Sequence, residues 1–144
     1  MATLTSSSAT HAADTATAQP SKARKIGLRV VLGLLTFLYF VTGAAKVVML
    51  EFMMTNMAEI NFGTVPTVII GVIEVIAVVG LWLPRYRTLS LSVLLLIMAG
   101  AAGAHWGFGH PVGEVVPSFI VAGLTFAALW LDRGRALWDF VLRR

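Results

Sequence analysis

Four apolar runs dominate this chain: Ile26–Leu50, Val65–Leu83, Leu89–Trp106 and Pro111–Leu131. They hold 25, 19, 18 and 21 residues, and a helix needs about 20 apolar residues to cross the hydrocarbon core of a bilayer. The chain has 144 residues, 58% hydrophobic and 12% charged. A soluble domain, which usually carries about 25% charge, could not cover that much apolar surface. The bilayer is therefore its solvent. The predicted class is an all-α integral membrane four-helix bundle occupying residues 26–132.

Ten of the eleven Lys and Arg residues fall on one side of this arrangement. Lys22, Arg24, Lys25 and Arg29 precede or open the first run, Arg85 and Arg87 lie between the second and third, and Arg133, Arg135, Arg143 and Arg144 follow the fourth. The other two connections carry none. Retained positive charge marks the cytoplasmic side, so both termini are expected in the cytoplasm. The same placement removes the nucleic-acid reading that a net charge of +4 and a pI of 10.1 invite. The charge lies at helix ends for topological reasons, and its expected partner is the bilayer.

Residues 1–25 are mostly Ala, Ser and Thr before the basic cluster. They hold too little apolar side chain to fold, and are expected to form a disordered cytoplasmic tail. Ser21–Arg29, the first run and the small residues Thr42–Ala45 together mimic a signal peptide with a cleavage site. The apolar run is longer than the about 7–15 residues of a signal h-region, so retention is expected. At the other end, residues 133–144 combine Leu137, Trp138, Phe140 and Val141 with arginines, the pattern of a short amphipathic helix on the inner surface. Trp82, Trp106 and Trp130 mark span ends. The connection Glu51–Thr64 carries Phe52, Met53, Met54, Met57, Ile60 and Phe62. It is too apolar for a free loop and is expected to cover the outer mouth of the bundle.

There are no cysteines, so the chain has no disulfide, thiolate metal site or thiol redox step of its own. The chemistry must come from its few polar groups in the membrane. Lys46 lies roughly 6 Å, Glu74 roughly 13 Å and His105 within about one turn of the outer side. An extended lysine could bridge the first two. A charge at the bilayer centre costs about 2.5–3.5 kcal/mol even on the lenient insertion scale, so Glu74 must be paired, protonated or beside water. Two readings stay open for Lys46: snorkelling to the headgroups, or pairing. Two stay open for Glu74: helix–helix hydrogen bonding, or a ligand or proton site. His105 reads as packing or as part of that site, with His110 and Glu114 as rim candidates. Their spacing matches no metal motif, and no metal is expected. No catalytic residue is identifiable. The hydroxyls of Thr36, Thr88, Ser90, Ser92 and Thr125 are expected to bond to their own helix backbones. The run Ala99–Ala104, with Gly100, Gly103 and Gly107, suits close helix contact in lipid, within the bundle or across a homodimer.

At these residues the chain resembles the DoxX-like family of small four-helix membrane proteins. The resemblance covers Arg29 to about Leu131. It rests on Thr42-Gly43-Ala44-Ala45-Lys46, on Gly71-Val72-Ile73-Glu74 through Gly80-Leu81-Trp82-Leu83-Pro84-Arg85, on the small-residue run ending at His105, and on Gly109-His110-Pro111. That last turn often reads Gly-Asp-Pro in the family, so no carboxylate role is carried over there. The resemblance implies a multi-pass protein of a bacterial plasma membrane. It also implies an accessory subunit of a quinone-linked redox or detoxification system, with no intrinsic cofactor and a partner supplying electrons. On that reading Lys46 and His105 donate to quinone carbonyls and Glu74 carries a proton. The alternative is a non-catalytic scaffold or assembly factor whose polar residues lock helix packing. A proton or ion transporter is disfavoured, because no ionisable residue continues the path through the inner half of the spans.

Overall fold

The structure, a computed structural model, describes the backbone of residues 22–142 and their side chains except those of Glu114 and residues 134–142. It consists of five helices: α1 (Lys22–Val47), α2 (Glu51–Glu59), α3 (Thr64–Trp82), α4 (Arg87–Gly107) and α5 (Val112–Leu142). Four are long and apolar enough to cross a membrane, α5 through its Val115–Arg133 portion. The described residues contain no strand. Short connections make successive spans antiparallel. α1 packs mainly on α3, α3 also on α4, α4 on α5, and α5 back on α1, which closes a four-helix ring. The fold is that of a multi-pass membrane protein. One end of the bundle is basic and carries Arg24, Arg85 and Arg87; the opposite end carries α2.

Helix boundaries depart from the apolar runs where polar residues are good helix formers. α1 starts at Lys22, because Lys and Arg propagate a helix well and can turn their charges outward. Residues 1–21 of the predicted tail lie outside the described residues. α5 runs unbroken to Leu142, so most of the predicted separate tail continues the last span. Gly134 alone, worth about 1 kcal/mol against helix, does not stop it. Pro117 also lies inside α5, in its second turn, where it removes the donor to the Gly113 carbonyl and its ring crowds that carbonyl.

The buried stripe of α1 runs Leu32, Leu35, Tyr39, Gly43, Lys46, and that of α3 runs Thr67, Gly71, Glu74, Val78, Leu81. These steps of three and four are those of a near-antiparallel helix seam. Leu91 and Leu94 of α4 and Ala128 of α5 complete the core. Outward residues such as Phe37 and Leu96 remain 68% and 72% exposed, as expected where lipid is the solvent. Lipid tails are as apolar as leucine, so the bundle is held by close packing and by hydrogen bonds between helices.

Those bonds occupy hydroxyls that the sequence assigned to their own backbones. Ser92 does bond to Thr88 O, at 2.9 Å. Thr125 bonds to Val121 O at 2.7 Å, but its hydroxyl also meets the buried Tyr39 hydroxyl at 2.9 Å. Tyr39 in turn approaches Leu94 O at 3.3 Å, so one phenol ties α1 to α4 and α5. Thr36 accepts from Trp82 Nε1 at 3.0 Å, and Thr88 donates to Asp132 at 3.3 Å. At the basic end, Arg87 donates to Asp132 at 3.1 Å and to Leu81 O at 2.9 Å, joining α3, α4 and α5. Arg24 Nε donates to Leu131 O at 2.8 Å.

At the opposite end α1, α2 and α4 all close in the same way. Leu50 N donates to Ala45 O and Met49 N to Lys46 O; Phe62 N to Met57 O and Asn61 N to Ala58 O; His110 N to His105 O and Gly109 N to Trp106 O. Each pair is the double hydrogen bond of a Schellman cap, which puts one residue in the left-handed region. Those residues are Met49 (φ 55°), Asn61 (φ 56°) and Gly109 (φ 73°). Gly and Asn suit the conformation; methionine pays for it. Met49 is 55% exposed, so its side chain gives little back through packing. Met49→Gly is expected to stabilise the fold by up to about 1 kcal/mol, read as a higher denaturation midpoint in mixed micelles.

Candidate functional site

Lys46 in the last turn of α1 and Glu74 in the middle of α3 come together. Lys46 Nζ lies 2.8 Å from both carboxylate oxygens of Glu74. Both side chains are almost completely buried, at 4% and 0% exposure. Thr42, one turn before Lys46, donates a longer bond of 3.4 Å to Glu74 Oε2. Of the two readings for Lys46, the structure shows pairing: the side chain turns inward to the carboxylate.

The local sequence explains how the two helices come close enough. Gly43-x-x-Lys46 and Gly71-x-x-Glu74 each place a glycine and a charge three residues apart, on one helix face. The helices are antiparallel, so each glycine meets the other helix's charged residue. A Cβ at Gly43 would stand 3.0 Å from Glu74 Cβ and 3.1 Å from Gly71 O. One at Gly71 would stand 2.7 Å from Lys46 Cβ and 2.8 Å from Gly43 O. The missing side chains let the backbones touch, as small residues do in lipid, and bring the ion pair to hydrogen-bonding distance.

The pair forms one wall of a cavity of about 380 Å³ between α2, α3 and α4. Met57 and Ile60 of α2 and the following Phe62 line the side toward the α2 end, as expected of a segment covering the mouth. On α4 the lining includes Gly100, Ala101 and Ala104. The sequence suggested that this small-residue run packs against a neighbouring helix or a second copy. Within the bundle Ala102 of this run is buried, but its glycines make no close contact: a Cβ at Gly100, Gly103 or Gly107 would meet nothing within 4 Å. Close glycine contact belongs instead to Gly43 and Gly71, and to Gly80, whose added Cβ would collide with Ser90 Oγ. Part of the run on α4 leaves room for the cavity.

His105 is not among the residues lining the cavity. Its ring meets that of His110 edge-on, with centroids 4.9 Å apart and planes at 87°. His105 Nδ1 is buried and makes no hydrogen bond. The predicted trio is therefore a Lys46–Glu74 pair plus a separate contact between His105 at the end of α4 and His110 in the turn after it. The side chain of Glu114 lies outside the described residues. Among the described residues no three His, Cys, Asp or Glu side chains are grouped to hold a metal.

Sequence reasoning missed Thr42 and Tyr39. Tyr39 falls on the buried stripe of α1, which helical spacing could have flagged, and the half-buried Thr42 stands beside that stripe, directly before Gly43. It also missed Asp132, just past the last apolar run, whose pairing with Arg87 depends on how α4 and α5 meet.

An ammonium has three hydrogens and a carboxylate about four acceptor positions. After their mutual bonds and the one from Thr42, Lys46 keeps one donor and Glu74 one acceptor. The site is thus net neutral but dipolar, with apolar walls. It can hold a small polar head group by one accepted and one donated hydrogen bond.

No curated protein and no solved structure matches the chain. A family model does, over residues 30–128, a stretch that includes the ion pair, both close-packed glycines and the cavity-lining residues of α2, α3 and α4, and the chain belongs to the DoxX-like family.

Proposed function

We propose that this protein is an accessory membrane subunit that binds an amphiphile of the quinone class for a redox or detoxification system. The basic end faces the cytoplasm of a bacterial plasma membrane, so the cavity lies in the outer leaflet. The observation that carries the reading is the buried Lys46–Glu74 pair on the wall of an otherwise apolar cavity. Its volume of about 380 Å³ lies within the about 300–1,000 Å³ of small-molecule sites, which typically combine apolar walls with a few polar groups. The donor set fits a quinone carbonyl at one end only. Lys46 supplies the donor, Glu74 holds or releases a proton beside it, and the apolar walls exclude water from the ring. His105 has no part in this head-group contact. A bound quinone supplies a two-electron, two-proton acceptor. The chain has no cysteine and no recognisable electron-carrier motif, so a partner provides the electrons.

A variant that fills the cavity without disturbing the pair tests this directly. A side chain at Gly100 starts in open space and projects from a cavity-lining position, so Gly100→Phe is expected to fold and to block binding. Native mass spectrometry of protein extracted in mild detergent is expected to show a quinone-sized adduct on the wild type, absent from Gly100→Phe and from Glu74→Gln. A wild type free of adducts rejects the reading. Because the pair also locks α1 to α3, that result would favour the scaffold or assembly-factor role, particularly if a partner protein co-purified.

A further inference from the structure

We propose a second binding site: a groove along the α3–α4 seam that holds one acyl chain of an anionic phospholipid, with its phosphate on Arg85. The groove, of about 460 Å³, lies on the other side of Glu74 from the cavity described above, toward the basic end. Its floor is Ala77, Gly80 and Ser90, all buried. Its banks include the outward-facing Ile76 and Val79 on α3 and Leu89 on α4. The floor is low because α3 and α4 are pinned together at Gly80 and Ser90, where no further side-chain atom fits. A strip of small residues between branched ones makes an apolar channel.

Length and charge identify the occupant. The groove runs along α3 from Ile73 to Leu83, a rise of about 15 Å. That equals the hydrocarbon thickness of one leaflet, half of about 30 Å. At its basic end Tyr86 lines the groove, and the Arg85 guanidinium lies 5.8 Å from the centre of the Tyr86 ring. Arg85 is exposed and has no carboxylate partner among the described residues, whereas its neighbour Arg87 is engaged by Asp132. A leaflet-deep apolar channel ending at an uncommitted guanidinium matches a phospholipid in both parts. Guanidinium binds phosphate by paired hydrogen bonds, and the negative charge of phosphatidylglycerol adds to that attraction where zwitterionic phosphatidylcholine does not.

The test is native mass spectrometry of protein reconstituted in equimolar phosphatidylglycerol and phosphatidylcholine, then released into mild detergent. Wild type is expected to retain one phosphatidylglycerol in preference to phosphatidylcholine by about fivefold, the size of one basic residue's attraction to an anionic surface. Arg85→Gln, at an exposed position, is expected to fold normally and lose the preference. Val93→Phe, which narrows the groove, is expected to lower retention of both lipids. Lys22→Gln removes an exposed charge from α1 at the same end and is expected to change nothing. Unchanged selectivity in Arg85→Gln would overturn the proposal. So would an equal loss in Lys22→Gln, which would mean diffuse attraction to the whole basic rim. A dimer that Val93→Phe dissociates would place a second copy of the chain in the groove instead of lipid. None of these readouts depends on the outer-half cavity or its ligand.

Discussion

Lys46→Met is expected to destabilise the bundle by about 3–5 kcal/mol, the usual cost of removing one partner from a buried ion pair. The physical reason is the carboxylate left behind. Glu74 has no exposed surface, and its remaining partner is the 3.4 Å bond from Thr42. Glu74→Leu is expected to be damaging too, since it leaves the Lys46 ammonium buried without a counter-charge. The double substitution Lys46→Met/Glu74→Leu removes both charges and is expected to recover most or all of the loss, because apolar replacements of buried pairs are often neutral or stabilising. Denaturation midpoints of the four proteins in mixed micelles give the coupling energy. Additive losses would show that the pair does not act as a unit. A folded double mutant that lost the proposed quinone-sized adduct would show that the pair serves binding as well as packing.

Glycine substitutions are expected to have opposite signs at two positions. Gly71→Val should cost at least about 1–3 kcal/mol, because its Cβ meets the Gly43 carbonyl and the Lys46 Cβ at 2.8 and 2.7 Å. One of these is backbone and the other is the root of a side chain, so neither yields by changing a rotamer. The helices must separate, which stretches the Lys46–Glu74 contact as well. Gly100→Ala meets nothing within 4 Å, and is expected to be neutral or to stabilise by up to about 1 kcal/mol through helix propensity. The same mixed-micelle titration reads both. If both variants behaved alike, packing of α1 on α3 would not be what fixes the ion pair.

How far the sequence reaches is clear from particular residues. The four spans and their antiparallel order were legible because a bilayer imposes length and apolarity on any helix that crosses it. Glu51–Thr64 could be recognised as a covering segment from its methionines and phenylalanines alone. Lys46 and Glu74 stood out because ionisable groups in lipid are costly, and a depth gap that an extended lysine can bridge followed from helix rise. The glycines were visible, but not their partners: Gly43 and Gly71 touch, while the glycines of the more conspicuous run on α4 border open space. His105 matched the pair in depth but not in direction, since depth depends on residue number and direction on helix rotation about its axis.

The sequence by itself therefore determined the solvent, the number of spans, and which polar groups had to find a partner or a use. These follow from the local free energy of placing each residue in lipid, which needs no knowledge of neighbours. Only the tertiary structure decided that Lys46 meets Glu74, that His105 meets His110 instead, and that a cavity lies beside the pair. Those outcomes depend on which faces of which helices meet, and in lipid that choice rests on shape and a few hydrogen bonds between residues far apart in the chain.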